Sequence, residues 1–268
     1  MPDLKKMPGI LKFAFFRVNA LRFGRIFLEA SFRVFRPIIG HPSKTAGKSY
    51  HFFLTEATYA PWKVDSEFQE FYKKLPTRSV ALGELQLYDL WHAVKSVKKI
   101  DGDIMEVGVW RGTSLALLGH ASIKYSPNKK IHGFDTFAGV ALASDNDPLY
   151  VGGEHADTSE KIVRDVLAGA GVHNAELHIG IYPMDTSEKT PQKISLAHID
   201  VDTYDSTILS LERLWGNASI GARIVCTDYG SCTATGVPPA VEKFVSDHDN
   251  AILVYSIGGS GIVQKISL

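Results

Sequence analysis

The sequence predicts an α/β fold: a seven-stranded, mostly parallel sheet with an antiparallel last strand, formed by residues 81–268 behind a helical amino-terminal extension of residues 1–80. Three observations lead there. From residue 102 onward, short apolar, β-branched runs alternate with helix-length segments, the pattern of strand-helix-strand units around a parallel sheet. The last two runs are joined only by Gly258-Gly259-Ser260, too short for a helical crossover, so they must pair antiparallel. A glycine-bounded turn, Gly108 to Gly112, stands between the first strand and the helix after it, where such folds bring the backbone against a ligand.

The strands are expected near 103–109, 130–135, 176–182, 195–201, 222–228, 251–257 and 261–266. Helices fill the gaps: 113–122, 158–168 with Asp157 and Glu160 at capping-box spacing, 206–215, and 239–248 opened by Pro238-Pro239. Upstream, Leu87, Leu90, Trp91, Val94 and Val97 recur at helical spacing and predict a helix against the sheet's edge.

Composition narrows the function classes. Lysine plus arginine (29) equals aspartate plus glutamate (29), so no overall field attracts nucleic acid. Cys226 and Cys232 are the only cysteines, too few and wrongly spaced for a zinc site, and they give no sign of a secreted disulfide framework. Charges interrupt every apolar run near the amino terminus, which argues against a membrane span or a secretory signal and for a cytoplasmic protein.

The candidate site begins at Glu106-x-Gly108-x-x-x-Gly112. Glycine punctuates many strand-helix turns, so the motif alone is ambiguous. Asp135 ends the second strand, where this type of fold places an acidic residue on a ribose diol; a helix cap or solvated loop carboxylate is the alternative. Trp110 stands where the compact nicotinamide motif needs its second glycine, which disfavours an oxidoreductase. The final antiparallel strand points the same way, toward a Rossmann-like class I methyltransferase.

Four blocks make the resemblance specific: Gly102 to Gly112, Gly133-Phe-Asp-Thr-Phe-Ala-Gly139, His198-Ile-Asp-Val-Asp-Thr-Tyr-Asp-Ser-Thr207, and Thr227-Asp-Tyr-Gly230. In this order they resemble the macrocin O-methyltransferase family, which methylates sugar hydroxyls on macrolides and related natural products. The resemblance implies S-adenosyl-L-methionine as cofactor, its methionine part held by Glu106, Gly108, Trp110 and Gly112 with Thr113 and Ser114 nearby. It implies Asp135 on the ribose and Phe137 near the adenine. It also implies a magnesium ion on Asp200, Asp202 and Asp228, with Asp200 beside the cofactor as the general base. The sequence departs from the family's Asp-Asp-Tyr-Gly at one point: Thr227 replaces a carboxylate.

The residues themselves allow blander roles. Asp202 and Asp205 can cap the following helix, Asp228 can close a turn, and His198 reads as a hydrogen-bonded core histidine. Asp200 and Asp202, two apart at a strand end, could equally share a face. The glycine- and acid-rich stretch 139–157 is long for a connection and is a candidate lid carrying His155. Residues 1–40 hold eight basic residues and seven of the fourteen phenylalanines. Residues 9–36 can form an amphipathic membrane-surface helix, but a cap or a homo-oligomer element is favoured. The leading function is methylation of a hydroxyl on a sugar or glycosylated small molecule. A catalytically silent cofactor-binding or scaffold protein is the competing reading, and a nicotinamide-dependent oxidoreductase ranks below both.

Overall fold

In the computed structural model, which describes residues 59–75 and 82–268, all seven expected runs are strands. They are β1 Asp103–Val107, β2 Ile131–Asp135, β3 Ala175–Ile179, β4 Ile194–Ile199, β5 Ala218–Cys226, β6 Ala251–Tyr255 and β7 Gly261–Lys265. They join one sheet in the order β3-β2-β1-β4-β5-β7-β6. The first five pair in parallel, and β7 inserts antiparallel between β5 and β6. The helices among the described residues are α1 Pro61–Val64, α2 Ser66–Lys74, α3 Glu84–Ser96, α4 Thr113–Tyr125, α5 Glu160–Gly169, α6 Tyr204–Trp215 and α7 Val237–Ser246. None of them is long and apolar enough to cross a membrane.

Strand side chains alternate between faces, so each apolar run feeds two cores. Ile104, Leu196 and Val225 pack with α3, α4 and α5 on one face, whereas Met105, Val107, Ala197 and Ile224 pack with α6 and α7 on the other. Helix α3 therefore lies over a face, through Leu87, Leu90, Trp91 and Val94, rather than against the sheet's edge. Residues 61–75, placed with the extension on sequence grounds, join the same compact unit as the sheet. Buried Phe68 and Phe71 sit 5.9 and 6.3 Å from the Trp91 ring, and burying each stabilises the packing by about 1.5–3 kcal/mol. The basic, phenylalanine-rich residues 1–40 lie outside the described residues.

Local details differ from expectation for definite reasons. Strand β1 stops at Val107 because Gly108 has φ +87°, and β4 stops at Ile199. Strand β5 starts at Ala218, earlier than expected, because a register shift and Gly221 at φ +85° interrupt a pattern that reads as a break. The cap of α5 is Ser159, whose side chain accepts from Ile162 N; Asp157 turns away to Arg111 and Trp110.

Gly108 is the tightest point of the frame. A Cβ there would lie 1.9 Å from the Asp200 carbonyl oxygen, at a φ that side chains rarely adopt. We expect Gly108→Ala to destabilise the protein by more than about 2 kcal/mol in urea titration, whereas Gly153→Ala, also at positive φ but with open space around it, should cost less.

Candidate active site

The parallel strands end together, and their carboxyl edge opens into a cavity of about 600 Å³, within the usual size of a small-molecule site. Its floor is the β1 turn: Gly108, Val109, Trp110, Thr113 and Ser114 all line it. Asp135 shapes this turn. Its Oδ2 accepts from Val109 N at 2.7 Å and Trp110 N at 2.8 Å, and its Oδ1 from Phe137 N at 2.6 Å. A carboxylate offers about four acceptor sites. One therefore remains on Oδ1, and Asp135 is among the residues that line the cavity.

Other residues singled out by sequence stand behind the wall. Gly112, at φ +85°, is the N-cap of α4, and a Cβ there would meet Val163. Phe137 packs on the apolar core and is not among the lining residues. Trp110, by contrast, lines the cavity, its indole N–H donating to Asp157 and its ring meeting that of His155 edge-on.

Glu106 also lies beneath the floor, fully buried. Its register partner on β4 is His198, also fully buried, whose Nδ1 is 2.5 Å from Glu106 Oε1. Burial pushes the Glu106 carboxyl up; for His198 burial works downward, but the adjacent Glu106 outweighs it and the net direction is up. A proton between Oε1 and Nδ1 relieves the burial of both groups. His198 Nε2 lies 3.0 Å from Thr227 Oγ1, and Thr227 donates to Asp200 Oδ1 at 2.6 Å. The chain Glu106, His198, Thr227, Asp200 crosses β1, β4 and the end of β5 into the cavity. The sequence signalled His198 as a core histidine and Thr227 as a departure, but their linkage depends on strand order.

Asp200, Asp202 and Asp228 line the same end of the cavity. Asp202 does not continue the strand face of Asp200, because β4 has already ended and Asp202 turns at φ +66°. Its backbone N–H donates to Asp228 Oδ2 at 3.0 Å. Burial, then the charges of Asp200 and Asp202, push Asp228 well up; burial, then Asp200, raise Asp202 to about 6. A cluster of hard oxygen donors under this repulsion suits either a proton or a hard cation.

The candidate lid is a structured loop. Asp147, almost wholly buried, accepts from Tyr204 N at 2.8 Å and so caps α6, while Thr203 and Ser206 hydroxyls hold the Ala141 carbonyl. This docking carries Val140, Ala141, Tyr150 and His155 into the cavity wall. Tyr150, which nothing in the sequence marked, donates to Asp202 Oδ1 at 2.5 Å. Burial and then Asp202 push its phenol upward, so it stays a donor.

The family model described as macrocin O-methyltransferase (TylF) matches residues 56–263. The chain belongs to the macrocin O-methyltransferase family. It is accordingly an S-adenosylmethionine-dependent O-methyltransferase with the class I methyltransferase fold. Among solved structures it is similar to the O-methyltransferase NovP (20% identity, TM-score 0.61, covering 71% of this chain and 83% of that one). It is also similar to CalS11, a calicheamicin methyltransferase (21% identity, TM-score 0.58, covering 81% of this chain and 99% of that one). At these identities the likeness is one of fold. A search of curated proteins finds no match.

The raised Asp202 has a measurable consequence. A carboxyl whose folded pKa of about 6 exceeds its unfolded value of 3.8 takes up a proton on folding between those limits. The stability it contributes is present at low pH and is lost as pH rises through about 6. Asp202→Asn keeps an acceptor for Tyr150 and removes the charge. We expect it to exceed the parent in stability at pH 7.5 by on the order of 2 kcal/mol, with the gap closing toward pH 4 in chemical denaturation.

Proposed function

We propose that this methyltransferase acts on a hydroxyl of a sugar or glycosylated small molecule, with Asp200 accepting the hydroxyl proton. The observation that carries the reading is the placement of Asp200: it lines the cavity next to the Gly108 turn, with one carboxylate oxygen fixed by Thr227. NovP is an O-methyltransferase, and CalS11 is described as a TDP-rhamnose 3'-O-methyltransferase. Those titles and the family motivate the sugar class.

The cavity's own features suit the donor. Gly108 permits close backbone approach, the first turn of α4 begins at Thr113, and a helix start favours a carboxylate. Asp135 retains acceptor capacity for a ribose hydroxyl. S-adenosylmethionine, when bound, supplies a methyl group already activated on sulfonium. The residues then have three tasks: to align the acceptor oxygen with that carbon, to exclude water, and to take the proton released as the oxygen–carbon bond forms and the sulfur–carbon bond breaks, its electron pair leaving with the neutral thioether. The docked loop serves exclusion through Val140, Ala141 and Tyr150. Asp200 serves as base, its direction set by Thr227, and positioning supplies much of the rate.

Asp200, Asp202 and Asp228 would also hold magnesium, which fits their hard oxygen donors and would lower the acceptor hydroxyl's pKa. Thr227 donates a hydrogen bond to Asp200, so in this arrangement its hydroxyl serves the carboxylate rather than an ion. An assembly of copies through residues 9–36 belongs to the same reading, as does location in the cytoplasm.

Asp200→Asn preserves shape and removes the base. With a panel of sugar acceptors, we expect turnover to fall about 10²–10⁴-fold, while calorimetric binding of S-adenosylmethionine stays near the parent's. Parent-level turnover would refute the assignment to Asp200. Magnesium is tested on stability: it should raise the parent's melting temperature and leave an Asp200→Asn, Asp228→Asn double variant unmoved.

A further inference from the structure

On the opposite half of the sheet, far from the carboxylate cluster in strand order, lies a group the methyl-transfer chemistry does not use. We propose that His132, Glu176 and His178 form a binding site for a divalent transition cation of the zinc type.

The site follows from register. His132 on β2 pairs with Glu176 on β3, and Phe134 pairs with His178. Since side chains alternate with period two, His132, Glu176 and His178 share one face. One donor atom from each lies within 4.8 Å of the others. His132 Nδ1 and His178 Nε2 are 3.3 Å apart. Two nitrogens at about 2.0–2.1 Å from a tetrahedral ion lie roughly 3.3–3.4 Å apart, so the separation already suits one. Glu176 Oε2 is 3.8 Å from His132 Nδ1, while Lys130 holds the other oxygen, Oε1, at 3.1 Å. Glu176 is thereby aimed with one oxygen to spare.

A second, independent observation concerns the other nitrogen of His132. The residue is only 6% exposed, yet its Nε2 has no hydrogen-bond partner, and the nearest acid, Asp103 Oδ2, stands 3.5 Å away. A ligating histidine generally presents its remaining N–H to a carboxylate. With Nδ1 on the ion, the His132 proton must sit on Nε2, facing Asp103. The ion takes the place of the proton between the two rings, which moves by tautomerisation to the outer nitrogen of its own ring, leaving both inner nitrogens free to ligate.

Two imidazoles and one carboxylate suit zinc and its neighbours better than magnesium or calcium. Glu176 is half exposed, so water can complete the coordination. None of the three residues lines the cavity. Phe134 connects the two places, lining the cavity with its ring centred 4.6 Å from that of His178.

The test uses the full chain, stripped with a chelator and titrated with zinc by calorimetry and with cobalt(II) by visible absorption. One equivalent should bind, with the intense absorption of tetrahedral cobalt. His178→Ala and Glu176→Gln, at partly exposed positions, should each weaken zinc binding at least 10-fold with an unchanged circular dichroism spectrum. Asp103→Asn should weaken it about 10–100-fold. Asp200→Asn should bind zinc like the parent, so the outcome does not depend on the methyl-transfer reading. No stoichiometric binding would overturn the site. So would binding that survives His178→Ala, or that is lost in Cys232→Ser.

Discussion

The site depends on a buried contact between two side chains that never meet solvent. Glu106 and His198 are both fully buried, one on each of the two central strands. An unpaired charge at either position would cost several kcal/mol. Paired at 2.5 Å, they form a polar cross-link between β1 and β4 directly beneath the cofactor turn. Because Glu106 fixes Nδ1, His198 can offer only Nε2 outward, and the residue there is Thr227. The hydroxyl in turn fixes Asp200. The orientation of the proposed base is thus set from inside the core, by residues with no access to substrate.

Electrostatic balance explains why the surroundings are so constrained. Three carboxylates at the ends of β4 and β5 repel one another, and the protein answers with donors. Thr227 serves Asp200, the Asp202 amide serves Asp228, and Tyr150 serves Asp202. The Tyr150 contact requires the loop to be docked, and docking in turn relies on buried Asp147 at the start of α6. Loop closure and carboxylate charge are therefore coupled: whatever lowers the charge of the cluster, a proton or a cation, alters what Tyr150 holds.

Much of this was legible in the sequence, because period-two and helical patterns report burial directly. All seven strands and the helices between them were visible, and Gly258-Gly259-Ser260 sufficed to place β7 antiparallel. The Gly108 turn and Asp135 were legible as strand-end chemistry, and the family resemblance, matched over residues 56–263, supplied their meaning. Three-dimensional coincidences were not. The link from His198 to Thr227 depends on β5 lying beside β4, and Tyr150 reaches Asp202 only by loop docking. Alternation misled at Asp202, since it assumes a strand that had already ended at Ile199. Asp157 had the spacing of a cap, yet Ser159, two residues on, took that role while Arg111 drew Asp157 away.

The Thr227 hydroxyl is the most exposed point of the account, since it joins the buried pair to the proposed base. The most direct measurement is methyl transfer by Thr227→Ser and Thr227→Val, on any acceptor the parent turns over, alongside calorimetric binding of S-adenosylmethionine. If the hydroxyl orients Asp200, serine should retain near-parent turnover and valine, equal in shape to threonine, should lose on the order of 10²-fold in kcat. Cofactor affinity should be equal in all three. Valine turning over like the parent would contradict the account.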